Sequence, residues 1–506
     1  MNAEIKVSQV IGDHMVLQRH RPIPIWGKAA SAERVVVSMN GVNAEATAGQ
    51  DGRWEVELPA MEASGPFVLE IKGRNSVVID DVLVGDVWFA GGQSNMEFPL
   101  YKALNGEHEA AAANFPQIRL FDAKQVVSPY EPKDDVEGKW EVCSPITAGQ
   151  FSAVAYHFAR EVQQEEGVPI GIVESSCSWT PAESWLSRDA LAADPELNGN
   201  ILKRWDEIEA SYPQDMQEYA ERIKSWQEEK ENADANGKEA PPQPKSPLDP
   251  CSIHRAAGLW NGSVAPFLPY AIRGVIWYQG ETNDNRGHQY RKLFPALISD
   301  WRKKWRQPDL PFFWVQLANV LPPDQTPIES EWAEVREAQL MSLKLPHTGM
   351  AVAIDAGEED DVHPRNKKDI GHRLALAALA KAYGKDVDYS GPIFKSMRVE
   401  KGEARVSFDH VNTGLVTPDD APVKGFALAG DDRKYEFARA RIEGDQIIVW
   451  NDELPEPVAV RYAWANNPAG ANLYSRTRGG ELLPASPFRS DDWPGKSFGV
   501  TKLVSE

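Results

Sequence analysis

Cysteine is scarce. Only Cys143, Cys177 and Cys251 occur in 506 residues. Three thiols cannot all pair within one chain, and no two stand at a CxxC or zinc-finger spacing, so neither a disulfide framework nor a structural zinc site is signalled. Long apolar runs are missing too, since nothing approaches the ~18 consecutive apolar residues of a membrane span. Basic residues are outnumbered, 54 Lys and Arg against 75 Asp and Glu, for a net charge of −21. That field opposes phosphate backbones and anionic lipid surfaces, which removes nucleic acid from the expected partners. The opening MNAEIKVSQVIGDH lacks the basic and apolar regions of a secretory signal, which fits either a cytoplasmic protein or a mature form numbered after processing. Repeats of fixed period are absent from the β-rich regions.

What is present is an ordinary globular composition, 42% hydrophobic and 25% charged, in a chain longer than the about 250–300 residues that one core supports. Two or three domains are expected. From 1 to 84, short apolar runs alternate with turn signals such as Asn40-Gly41, Asp51-Gly52 and Lys72-Gly73, predicting a small antiparallel β-sandwich. From 85 to 388 the texture is α/β. Asp86 to Ala90, Pro169 to Glu174, Ile272 to Tyr278, Phe312 to Leu317 and Met350 to Asp355 read as buried strands, each followed by a helical segment as in a parallel doubly wound sheet. Residues 196–250 form an insertion. Its Trp205, Ile208, Tyr212, Met216, Tyr219, Ile223 and Trp226 predict an amphipathic helical pair broken near Pro213. A Pro-rich stretch follows that cannot stay ordered by itself. Short alternating runs return from 389 to 506, a second β-rich domain.

In open α/β sheets ligands lie beyond the carboxyl ends of the strands, and four such places carry chemistry. Gly91-Gly-Gln-Ser94-Asn-Met96 offers a tight strand-to-helix turn that presents a Ser hydroxyl beside backbone N–H groups, as a nucleophile requires; the plainer reading is that Ser94 caps a helix. Asp360-Asp-Val-His363 puts an Asp where it can fix the tautomer of an imidazole. Trp277-Tyr-Gln279-Gly-Glu281-Thr-Asn283 sets polar groups after an apolar run, with Gln279 or Asn283 able to donate a side-chain N–H to an oxyanion or merely to cap a turn. The fourth place is Glu174-Ser-Ser-Cys177-Ser178-Trp179-Thr-Pro-Ala-Glu183-Ser-Trp185. Its Cys177 reads as a packing residue rather than a nucleophile.

With GQSNM, WYQGE and the late HP block in this order, the sequence resembles the sialate O-acetylesterase and acetylxylan esterase group of the SGNH hydrolase superfamily. Tyr290-Arg-Lys-Leu-Phe-Pro, Asp300-Trp301 and Leu483-Pro-Ala-Ser-Pro-Phe-Arg extend the likeness over most of the chain. The resemblance implies a three-layer α/β fold and acetylated carbohydrate as substrate. It also implies a metal-free double displacement without cofactor, and a periplasmic or secreted location for a mature form. Carried over by motif, Ser94 is the nucleophile, His363 the base, and Asp360 the acid, with Asp361 as the alternative that several relatives suggest. The backbone N–H groups of Ser94 and Ser178 with the Gln279 amide would hold the oxyanion, and Trp179 and Asn283 are further candidates. Gln93, Asn95 and Glu281 are candidates for binding substrate. One departure stands out, because Ser178 and Trp179 occupy positions where the family block SSWGGTPAEAW has two glycines.

Two rivals remain open at this stage. A glycosidase would pair Glu281 with Asp355 or Glu183 and leave Ser94 idle. A carbohydrate-binding protein with a decayed esterase site would bind sugar without turnover.

Overall fold

Turn chemistry shapes the N-terminal region of the computed structural model, which describes residues 4–503. Asn40 and Gly41 join the strands Arg34–Met39 and Val42–Thr47, and both carry positive φ (51° and 75°), as a two-residue type I′ hairpin requires. Alternation in Arg53–Leu58 buries Trp54, Val56 and Leu58 and exposes the charged residues between them. The expected antiparallel pairing holds for these strands but not for Val16–Gln18, which lies parallel to Leu83–Gly85. The intervening strands supply the long crossover that a parallel pair needs.

The boundary expected at 84 falls inside one strand. Ser76–Gly92 pairs antiparallel with Ser64–Lys72 near its start and parallel with Ile170–Ser176 and Gly274–Tyr278 near its end. From Val82 onward every residue is buried, as in a strand covered on both faces. One continuous strand therefore joins the β-rich region to the sheet that carries the site.

Among the described residues, six strands run parallel in the order Phe115–Asp122, Ile170–Ser176, Ser76–Gly92, Gly274–Tyr278, Phe312–Gln316, Thr348–Val352, with Trp140–Cys143 antiparallel at the edge. The sequence reading omits Phe115–Asp122, whose Gln117 and Arg119 interrupt its apolar run. The chain reverses its direction across the sheet at Ser76–Gly92, so the crevice of the switch point opens just beyond Gly92. Successive side chains of a strand face opposite sides. Trp88 packs on Phe158 and Tyr383, and Phe89 packs on Trp301 and Trp305. Aromatic side chains from different segments thus cover the two faces.

The insertion is one helix rather than a broken pair. Lys203–Ala235 continues through Pro213. A proline there forfeits one hydrogen bond and crowds a carbonyl one turn earlier, but Pro213 is exposed, and solvent can satisfy that carbonyl. The Pro-rich stretch is laid back along this helix. Pro241, Pro244 and Pro247 are half-buried while Pro242, Gln243, Lys245 and Ser246 are exposed, and the Trp226 indole N–H donates to the Pro241 carbonyl at 2.8 Å. The helix supplies the apolar surface that the stretch lacks alone.

The β-rich C-terminal region contains two four-stranded sheets and one three-stranded sheet among the described residues. The buried Arg336 guanidinium ties it to the parallel sheet by donating to the carbonyls of Leu317, Ala318, Ala465 and Asn466. No described helix is long and apolar enough to cross a membrane.

Candidate active site

Gly92 lets the central strand end where it does. Its φ is 144°, and a Cβ at this position would lie 2.1 Å from the Tyr278 carbonyl oxygen. The chain then turns into the short helix Ser94–Glu97, whose first N–H groups, that of Ser94 among them, have no intrahelical acceptor. His363 approaches from the loop after the last parallel strand. Its Nε2 lies 2.9 Å from Ser94 Oγ, and its Nδ1 lies 3.0 Å from Asp361 Oδ1.

Asp361, not Asp360, faces the imidazole. The Asp361 carboxylate folds forward to accept the His363 backbone N–H at 2.8 Å, and this two-residue turn aims the same oxygen at Nδ1. Asp360 is exposed, and Glu358 accepts the Arg365 backbone N–H instead. Phe98 stacks on His363 with ring centroids 6.3 Å apart.

A buried polar network lies behind the pair. The Asn95 amide donates to Glu281 at 2.6 Å and to the Val362 carbonyl at 3.0 Å, while its oxygen accepts from the Lys367 ammonium. Lys367 is fully buried, with Phe98 and Tyr278 rings 4.7 and 5.2 Å from its nitrogen. Burial pulls its pKa down to about 7, against the opposing field of Glu281. Burial likewise raises Glu281 above the usual carboxylate range. Gln93 accepts from the Gly280 and Thr282 backbone N–H groups. Gln93, Asn95 and Glu281 therefore serve the scaffold in this structure rather than facing substrate, because none of them lines the cavity over Ser94, although one Glu281 oxygen is buried without a hydrogen-bond partner.

The same correction applies to Gln279 and Asn283. Both are fully buried. The Gln279 amide donates to the Thr180 carbonyl at 3.2 Å and to Asn283 Oδ1 at 2.7 Å, so both of its N–H bonds are taken. Asn283 donates to Glu183 and accepts from the Ala182 backbone N–H. Neither side chain faces the cavity over Ser94.

That cavity, about 750 Å³, is lined by Ser94, His363, Glu97, Glu174, Ser178 and Arg365 among others. Ser178 is held from one side, its backbone N–H donating to Glu97 at 3.1 Å and its hydroxyl donating to the same oxygen. Burial and the neighbouring Asp122 raise Glu174 well above the usual carboxylate range. Burial also pushes the Cys177 thiol up to about 12, which leaves it unsuited to nucleophilic attack. Trp179 adopts φ 63° and is 70% exposed. Its Cβ is accommodated by the left-handed backbone that a glycine would take more readily.

The carboxylates of the glycosidase reading are engaged elsewhere. Glu183 pairs with Arg286 at 2.7 Å in a fully buried contact, and Asp355 pairs with Arg373 at 2.6 Å. Neither these two nor Glu281 lines the cavity. The sequence reading missed Glu97, Asp122, Phe98 and Lys367. One of them had a signal, since Glu97 stands three residues after Ser94, a spacing that returns a side chain to the same helical face.

A family described as carbohydrate esterase, sialic acid-specific acetylesterase matches residues 257–380. Sialate O-acetylesterase of Rattus norvegicus is 28% identical over 96% of this chain and 94% of its own length. The Homo sapiens protein of that name is 26% identical over 98% and 95%. Among solved structures, a carbohydrate acetylesterase from Xanthomonas citri is 37% identical and superimposes with a TM-score of 0.81, covering 97% of this chain and all of that one. With identity of that order sustained along nearly its whole length, the chain belongs to the carbohydrate acetylesterase family that includes the sialate O-acetylesterases.

Proposed function

We propose that this protein hydrolyses O-acetyl esters of carbohydrates through an acetyl-serine intermediate, with Ser94 as nucleophile, His363 as general base and Asp361 as the acid that orients it. The contact between His363 Nε2 and Ser94 Oγ at 2.9 Å carries the reading. In the first half-reaction Nε2 takes the Ser94 proton as Oγ bonds to the acetyl carbon, and the imidazolium returns that proton to the departing sugar oxygen. In the second, water attacks the acetyl-serine with His363 again as base, releasing acetate and restoring the hydroxyl. The Ser94 N–H at the helix start is the primary oxyanion donor, and Ser178 contributes its N–H when it releases Glu97.

The wall formed by Glu97, Asp122 and Glu174 suits the hydroxyls of a sugar, offering carboxyl oxygens as acceptors. The names of the curated relatives put acetylated sialic acid first among the esters to try. We also read the parallel sheet with its helices as the three-layer SGNH arrangement.

The test is acetate release from an O-acetylated sialic acid, acetylated xylo-oligosaccharides and an aryl acetate by wild type, Ser94→Ala and His363→Ala. Turnover lost in both variants is expected. Turnover of any of these esters unchanged by either substitution would overturn the assignment.

A further inference from the structure

Trp179 combines two features that packing does not explain. Its φ of 63° lies in the left-handed region, where a side chain with a Cβ is sterically disfavoured. The residue is 70% exposed, so burial returns little for that strain. The backbone is nevertheless held from several directions. His254 Nε2 bonds the Trp179 carbonyl oxygen at 2.9 Å, and Glu97 holds the preceding residue through the Ser178 N–H at 3.1 Å. On the other side, the fully buried Thr180 donates its hydroxyl to the Cys177 carbonyl at 2.6 Å and accepts the Trp185 indole N–H at 3.0 Å. His254 lies just past the segment that returns along the Lys203–Ala235 helix, so the chain leaving the insertion anchors this turn.

A strained conformation that its surroundings over-determine, next to reacting groups, marks a functional constraint. The position fits. Trp179 follows the carboxyl end of the parallel strand Ile170–Ser176, on the side of the sheet where ligands lie, and stands one residue beyond Ser178, which lines the cavity over Ser94, while Trp179 itself lies outside that lining. An indole at such a rim offers a broad, rigid apolar face with few rotatable bonds, matched to the C–H face of a pyranose ring.

We propose that Trp179 is a specificity-determining residue, a platform on which the sugar ring stacks while its acetyl group reaches Ser94. This rests on the esterase reading of Ser94 and His363 and adds how the alcohol part of the ester is chosen.

Trp179→Gly and Trp179→Phe test it on two esters, vinyl acetate, which has no ring to stack, and peracetylated xylobiose. Glycine suits the left-handed backbone, so the first variant is expected to keep or raise the melting temperature. Its kcat/KM on the xylobiose ester should fall at least tenfold, mainly through KM, and on vinyl acetate should stay within twofold. Phenylalanine should recover most of the loss. Equal changes on the two esters, no change on either, or a wild type that cleaves vinyl acetate alone would overturn the platform and leave the esterase standing. A wild type inactive on both would overturn the esterase reading and the platform with it.

Discussion

Glu97 accepts both the backbone N–H and the hydroxyl of Ser178. The N–H that the motifs offer to an oxyanion therefore rests against a carboxylate. Like charges at hydrogen-bond range repel strongly in a partly dry site, so the carboxylate and a developing oxyanion compete for one donor. Glu97→Gln keeps the shape and removes the charge. Its kcat on an aryl acetate should rise about threefold, ~0.7 kcal/mol of barrier. A tenfold fall would mean that the charged carboxylate is needed to hold Ser178 in place.

Adjacent aspartates separate by a single residue of register. Asp361 contacts both the backbone N–H and Nδ1 of His363, whereas Asp360 is exposed. Asp361→Asn should lower kcat by roughly 10²-fold, less than the roughly 10⁴-fold seen for a buried triad acid, because about half of the Asp361 side chain is open to solvent (51%). Asp360→Asn should leave kcat within twofold. Steady-state kinetics of the two variants side by side decides the acid, and the reverse ranking would restore Asp360.

Asn95 links three buried segments through Glu281, Lys367 and the Val362 carbonyl. Asn95→Ala leaves the buried Lys367 nitrogen and the buried Glu281 carboxyl without their bridge, a loss of about 1–3 kcal/mol. It also frees the residue before His363. A melting temperature lowered by several degrees with kcat reduced at least tenfold and KM little changed is the expected result. A rise in KM with kcat intact would instead make Asn95 a substrate ligand, as the motif alone suggested.

These cases show what was legible beforehand. Ser94, Ser178 and His363 could be placed because each stands just past a strand that its apolar run announces, and topology then brings the strand ends together. Gln279 and Asn283 stand past a strand too, yet their amides turn inward, since Thr180, Glu183 and Tyr290 from distant segments bond them first. No local pattern encodes such partners. Pro213 misled for a related reason, because a breaker in sequence is tolerated where its face of the helix meets solvent. Phe115–Asp122 escaped notice because Arg119, buried against Asp81, reads as a surface residue until its partner is known.

His157 gives the acid limb of stability a definite source. It is 7% exposed, and burial pulls its imidazole down to about 4. Its pKa in the unfolded chain is about 6.5, so the unfolded state binds more protons between these values. The contribution is fully present above pH about 6.5 and is lost as the pH falls through about 4, ~3 kcal/mol in all. In His157→Leu the loss of urea stability between pH 7 and pH 4 should shrink by that order. An unchanged pH dependence would mean that other groups drive the acid transition.

Reaction with a fluorophosphonate, followed by peptide mapping, tests the central claim most directly, since only an activated serine hydroxyl is phosphonylated at a useful rate. The account expects one label, on Ser94, formed at least 10²-fold more slowly in His363→Ala and absent from heat-unfolded protein. A label on another residue, or labelling of Ser94 at the same rate without His363, would contradict it.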